Sequence, residues 1–125
     1  MYSKGGSVLR MTMTYVDAVA GADTFRNGLT RYLGEHQYGN VVPDDLWNAL
    51  SVVAGFDVAE LMNAWVNAPG YPLISVNTQA LPAQISQQRF FETANASVSE
   101  QLWWVPLTFY TSSSPAVVQT GVLSV

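Results

Sequence analysis

The sequence predicts an α+β protein: about four helices come first and an antiparallel β-sheet follows, segregated along the chain. Three observations carry this reading. Apolar residues recur every three or four positions up to about residue 70. Beyond it they alternate with a period of two. The single change of character falls at "APGYPLISV", where Pro69 and Gly70 stop a helical pattern and Pro72 opens an extended one.

The first helix is expected from about Ser3 to Val19. Two apolar rows run along it: Val8, Met11, Tyr15, Val19 and Leu9, Met13, Val16, Ala20. Together they predict a wide buried face. Gly21 ends this helix, and Asp23 is placed to cap a second one that turns Phe25, Leu29, Tyr32 and Leu33 inward. "EHQYGN" closes it. Pro43 suits the first turn of a third helix, where Asp44 and Asp45 complement the dipole. Leu46, Trp47, Leu50 and Val53 would pack, and Gly55 would stop the helix. Asp57 and Glu60 have capping-box spacing ahead of a fourth helix, whose Val58, Leu61, Met62, Trp65 and Val66 share one face.

Strands are expected at Leu73–Asn77, Ala83–Phe91, Leu102–Thr111 and Val117–Leu123. In the third, Val105, Leu107 and Phe109 alternate with Pro106, Thr108 and Tyr110. Four strands carrying Phe90, Phe91, Trp103 and Trp104 need a cover and leave two open edges. Either the helices cover one face, or the sheet is the first part of an incomplete β-sandwich, the reading that the apolar ending "VLSV" favours.

Composition narrows the function classes. Charged residues make up 11% of the 125 and the net charge is −4. Five scattered Lys and Arg cannot build the basic patch of a nucleic-acid binder. With a charge fraction well below the ~25% of ordinary soluble domains, much of the surface is expected to be covered by further protein. No cysteine is present, so neither a disulfide nor a thiolate metal site can form within the chain. No apolar run reaches the ~20 residues of a membrane span, and no secretory leader pattern opens the chain.

Residues with chemical potential are few. His36 is the only histidine, which rules out the usual zinc donor sets and reads as a helix C-terminal residue. Asp44, Asp45, Asp57 and Glu60 all sit at helix starts, where capping alone explains them. Ser7, Ser97 and Ser113 lack the context of a nucleophile. Gly5 and Gly6 do not make a phosphate loop. Asn95 opens an N-glycosylation sequon, "NAS". The four Trp read as core.

The order "YSKGGSVLRM", "DTFRNGLTRYL", "YGN…DDLWNAL", "VAELMNAWVNAPGYPLISV", "ISQQRFF" and "LWWVPLTFYT" resembles the zinc aminopeptidases of the aminopeptidase N type, collinearly over nearly the whole chain. Its specific pieces are Tyr-x-Lys-Gly, Asp-Asp-Leu-Trp and the Trp that precedes Gly-Tyr-Pro-Leu-Ile. The resemblance implies that residues 1–70 are the C-terminal helical part of a thermolysin-like catalytic domain and that residues 71–125 begin a β-sandwich domain. It implies a parent hydrolase that removes N-terminal amino acids from peptides. Zinc would be held by H-E-x-x-H and a downstream Glu, and the substrate amine by a Gly-x-Met-Glu-Asn loop, none of which is in this sequence. One catalytic residue carries over: Tyr2, whose phenol would donate to the oxyanion of the tetrahedral intermediate. The stretch Thr12–Ala20 is longer than the family's pattern by about one helical turn. The parent is expected at the extracellular face of the plasma membrane, with the cytoplasm as alternative. Alone, the chain is expected to be inactive, its faces awaiting the missing N- and C-terminal domains. The alternative reading is a diverged, non-catalytic derivative that acts as an interaction module.

Overall fold

Glycine and proline punctuation sets the element boundaries. The computed structural model describes residues 2–79, 82–93, 99–111 and 114–123. Four helices come first: α1 (Tyr2–Ala20), α2 (Thr24–Glu35), α3 (Pro43–Ala54) and α4 (Val58–Asn67). Four strands follow: β1 (Pro72–Asn77), β2 (Gln84–Arg89), β3 (Val105–Thr111) and β4 (Ser114–Leu123). The α+β arrangement, helices before strands, is thus the one the sequence predicts. The chain divides into two compact units, Met1–Met62 and Asn63–Val125, so the division falls within α4.

In the first unit the core is built from Val8, Thr12 and Val16 of α1, Phe25 of α2, Trp47, Ala49 and Leu50 of α3, and Val58 and Met62 of α4. Fully burying an aliphatic side chain such as Leu50 or Met62 contributes about 1.5–3 kcal/mol. The wide buried face expected of α1 is narrower in the structure. The buried stripe runs Val8, Thr12, Val16, while Leu9, Met13 and Val19 are exposed. Thr12 earns its place in this stripe by hydrogen bonding, since its hydroxyl satisfies Val8 O at 2.8 Å and lies 3.0 Å from Met62 Sδ.

Two expectations for α2 are corrected. Asp23 stands at the cap position but adopts φ 63°, and its carboxylate caps nothing. Asp17 of α1 does that work instead, its Oδ1 accepting the Phe25 N–H at 2.9 Å. Leu33 is 64% exposed rather than inward-facing. The reason lies in Gly28, which is buried and faces α3: a Cβ there would stand 2.5 Å from Leu50 Cδ2 and 3.2 Å from Leu50 Cα. The inward face of α2 is centred on this close approach, and Leu33, five residues on, lies ~140° around the helix from it.

Gly28→Ala is accordingly expected to destabilise the first unit by about 1–2 kcal/mol, because overpacking against the Leu50 backbone outweighs the ~1 kcal/mol gain in helix propensity. Gly34→Ala is expected to stabilise it by about 0.5–1 kcal/mol, since nothing lies within 4 Å of a Cβ there. Urea unfolding followed by far-UV circular dichroism checks both; a shift of the same sign for the two variants would contradict the packing argument.

Helices α3 and α4 keep their expected ends. Pro43 opens α3, and Asp45 Oδ2 accepts the Val42 N–H at 2.8 Å. Gly55 closes it at φ 79°, its N–H bonded to Ser51 O. Asp57 Oδ1 accepts the Glu60 N–H at 2.9 Å and so caps α4. Ser51 ties the two helices, its hydroxyl donating to Trp47 O and accepting from the Val58 N–H, both at 2.8 Å.

In the second unit the strands pair antiparallel, as two separate two-stranded ladders among the described residues, β1 with β2 and β3 with β4. In β1–β2, Pro72 faces Arg89 and Asn77 faces Gln84. In β3–β4, Val105 faces Leu123 and Thr111 faces Ser114, with an irregularity between Phe109 and Thr111. Pro106 is tolerated in β3 because that strand is paired on one side only. Along β3 burial declines from Val105, through half-buried Leu107, to exposed Phe109. The core of this unit is Trp103, Trp104 and Val105. Gln87 of β2 holds Trp103 at two points: its Oε1 accepts the Trp103 N–H at 2.9 Å and its Nε2 donates to Trp103 O at 2.8 Å. The Trp65 indole N–H donates to Trp104 O at 2.7 Å.

Candidate functional site

The candidate site is the N-terminal end of α1. The helix starts with Tyr2 and reaches the first buried residue only at Val8. Between them Gly5 and Gly6 are poor helix formers, each about 1 kcal/mol less favourable than Ala. Nothing lies within 4 Å of a Cβ at either glycine. The first turn carries no acidic residue and so brings no acidic side chain to the positive end of the helix dipole. The Tyr2 side chain is 98% exposed. The arrangement presents a phenolic O–H, a donor, at a positive helix end, and its chemistry suits a partner that develops negative charge.

The other sequence candidates have local surroundings of their own. Asp45 and Asp57 are engaged as helix caps, and Asp44 and Glu60 lie in first turns. His36 follows the last turn of α2, its N–H bonded to Tyr32 O and its ring 5.5 Å from that of Tyr32. Ser7 is an exposed residue of α1. Asn95, Ser97 and Ser113 lie outside the described residues. Trp47, Trp103 and Trp104 are buried and Trp65 half-buried, which suits core roles. Asp17 was not singled out from the sequence, because the amide it caps lies eight residues on and no local motif links the two.

Among the described residues, no group of three or more His, Cys, Asp or Glu side chains stands close enough to hold a metal ion. The described residues therefore do not by themselves make the zinc site that the resemblance implies. No described helix is long and apolar enough to cross a membrane. A shallow groove of about 370 Å³ in the second unit is lined by Asn63, Ala64, Asn67, Ala68, Pro69 and Gln101 and contains no titratable side chain.

Comparison with known proteins gives this geometry its context. The Peptidase family M1 domain matches residues 1–65. The chain is 40% identical over 110 residues to the tricorn protease-interacting factor F2 of Thermoplasma volcanium, a match covering 88% of the chain and 13% of that protein. It is 38% identical over 107 residues to a leucyl aminopeptidase of Saccharolobus solfataricus, covering 86% of the chain and 13% of the relative. With the aminopeptidase N of Lactococcus lactis subsp. lactis it shares 38% identity over 120 residues, covering 96% of the chain and 14% of the relative. The chain thus spans only 13–14% of the length of these relatives. An alignment of 120 residues runs through the strands as well as the helices, well past residue 65. With its domain match covering more than half of the 125 residues, the chain belongs to peptidase family M1.

Proposed function

We propose that this chain forms part of an aminopeptidase that releases N-terminal amino acids from peptides. The observation that carries the reading is the 38% identity over 96% of the chain with the Lactococcus lactis aminopeptidase N. In this reading residues 1–70 complete a catalytic domain and residues 71–125 begin a β-sandwich. The zinc dependence of such an enzyme rests on residues outside this chain. What this chain contributes is Tyr2, whose O–H donates to the oxyanion that forms when the scissile carbonyl is attacked. Its full exposure supports a role toward a group outside the chain, since nothing described here occupies the phenol. The rest of α1 orients it: the buried stripe Val8, Thr12, Val16 anchors the helix from its second turn onward.

The test is an exchange. The matching segment of the Lactococcus lactis enzyme is replaced by this chain, and hydrolysis of leucyl-p-nitroanilide is measured. A folded chimera is expected to release p-nitroaniline in the presence of zinc. A chimera with native circular dichroism and cooperative melting but no hydrolysis would overturn the reading and favour a non-catalytic interaction module.

A further inference from the structure

The contact between α2 and α3 contains a chemically labile pair. Asparagine is among the residues that decay on their own. It does so fastest ahead of glycine, where no Cβ shields the next main-chain nitrogen. Of the seven asparagines only Asn27 precedes a glycine; each of the others precedes a residue with a Cβ. Gly28 is also a residue the packing cannot exchange for a larger one. A Cβ there would stand 2.5 Å from Leu50 Cδ2 and 3.2 Å from Leu50 Cα. The bare backbone that lets α2 approach α3 thus leaves Asn27 open to attack.

The reaction consumes only water. The Gly28 nitrogen loses its proton to base and bonds to Asn27 Cγ; the Cγ–Nδ2 bond breaks and ammonia leaves. Water then opens the succinimide at either carbonyl, giving aspartate or isoaspartate at position 27. Helix α2 opposes the first step. Gly28 is its fifth residue, so the helical pattern bonds the Gly28 N–H to the Thr24 carbonyl. The Asn27 N–H is held by Asp23 O at 2.9 Å. Ring closure also requires ψ of Asn27 to leave the helical range, which these bonds resist.

The two products differ in what they do to the fold. Asn27 is exposed, so an ordinary aspartate there disturbs no packing. Isoaspartate routes the main chain through the former side chain and adds one backbone atom just before Gly28. That is the residue that meets Leu50, where a single Cβ is already too large.

We propose that Asn27–Gly28 is a self-modification site held shut by α2. When the helix opens, the pair converts to isoaspartate, and isoaspartate keeps α2 from packing on α3 again. The chain thereby carries a permanent mark of having unfolded. The proposal is independent of the aminopeptidase reading, since it concerns neither Tyr2 nor peptide hydrolysis.

The chain is incubated at mildly alkaline pH in buffer and in urea. Pepsin digestion at acid pH with mass spectrometry follows deamidation at Asn27, and an isoaspartyl methyltransferase labels the isoaspartate. Conversion in buffer is expected to be at least ~10-fold slower than in urea, because it waits on opening of α2. Gly34→Ala, which strengthens α2 without meeting a neighbour, is expected to slow conversion in buffer by about two- to fivefold and to leave the rate in urea unchanged. On dilution from urea the unmodified chain and Asn27→Asp are expected to regain the helical circular dichroism and cooperative unfolding. The isoaspartate fraction is expected to regain neither in full. Equal rates in buffer and in urea overturn the proposal, as does an unchanged rate in buffer for Gly34→Ala. Isoaspartate material that refolds with the unmodified midpoint overturns it too. So does failure of Asn27→Asp to refold, which would assign the damage to charge and not to the added backbone atom.

Discussion

Trp103→Ala is expected to cost the second unit about 3 kcal/mol, the largest effect on stability of any substitution considered. The side chain has no exposed surface, and its ring lies 6.3 Å from that of Trp65. Truncating a buried Trp to Ala typically costs about 3–5 kcal/mol, through lost transfer free energy and the cavity left behind. The lower end applies here for a specific reason. Trp103 Nε1 is buried without a partner, so the native state already bears a desolvation cost of about 1–3 kcal/mol, which the substitution removes. The same reasoning predicts that Trp103→Phe, which keeps most of the volume and drops the unpaired N–H, costs less than about 1.5 kcal/mol. The Gln87 clamp on the Trp103 backbone survives both changes, because it uses only main-chain atoms of residue 103. Urea unfolding followed by the fluorescence of the three remaining tryptophans measures the pair. Equal costs for the two variants would show that ring volume is not what this core depends on.

The helix and strand limits were legible because they are set by local chemistry. Gly21 and Gly55 stop helices, Pro43 and Asp57 start them, and Pro69 with Gly70 marks the change to strands; each acts within a few residues of itself. Inward faces were less legible because they are decided by partners far along the chain. Thr12 is buried through its approach to Met62, fifty residues on. A pattern that counts only apolar residues passes over it and selects Val19 instead. Gly28 decides the face of α2 by admitting Leu50, and a residue without a side chain leaves no mark on a hydrophobic pattern. Asp23 shows the same limit: its type and position suit a cap, but its left-handed backbone withdraws the carboxylate and Asp17 supplies the bond. The division of the strands into two ladders rests on pairing, which strand periodicity does not specify. At the candidate site, Tyr2 is singled out only by the resemblance, through Tyr-x-Lys-Gly and the motifs in order behind it. Nothing in its described surroundings marks it, since the side chain is 98% exposed. Asp45 and Asp57 could be read as caps from the sequence because their partners are three residues away.

In the chimera proposed above, Tyr2→Phe is expected to lower kcat by about 10²–10³, the usual effect of removing one oxyanion donor. The substitution deletes one oxygen and leaves the ring, so a role in packing would be nearly untouched by it. KM is expected to change by less than about threefold, because the bond forms in the transition state and not with the ground-state carbonyl. Stability supplies the control. Tyr2 is 98% exposed and touches no described core residue, so the same substitution in this chain alone is expected to leave its unfolding midpoint unchanged. A fall in kcat with an unchanged melting curve would place the phenol at the reacting atoms. Equal losses in kcat and stability would make Tyr2 a structural residue of the completed domain. A chimera that keeps full activity as Tyr2→Phe would remove this chain from the chemistry altogether and leave it the task of shaping the domain around a donor supplied from elsewhere.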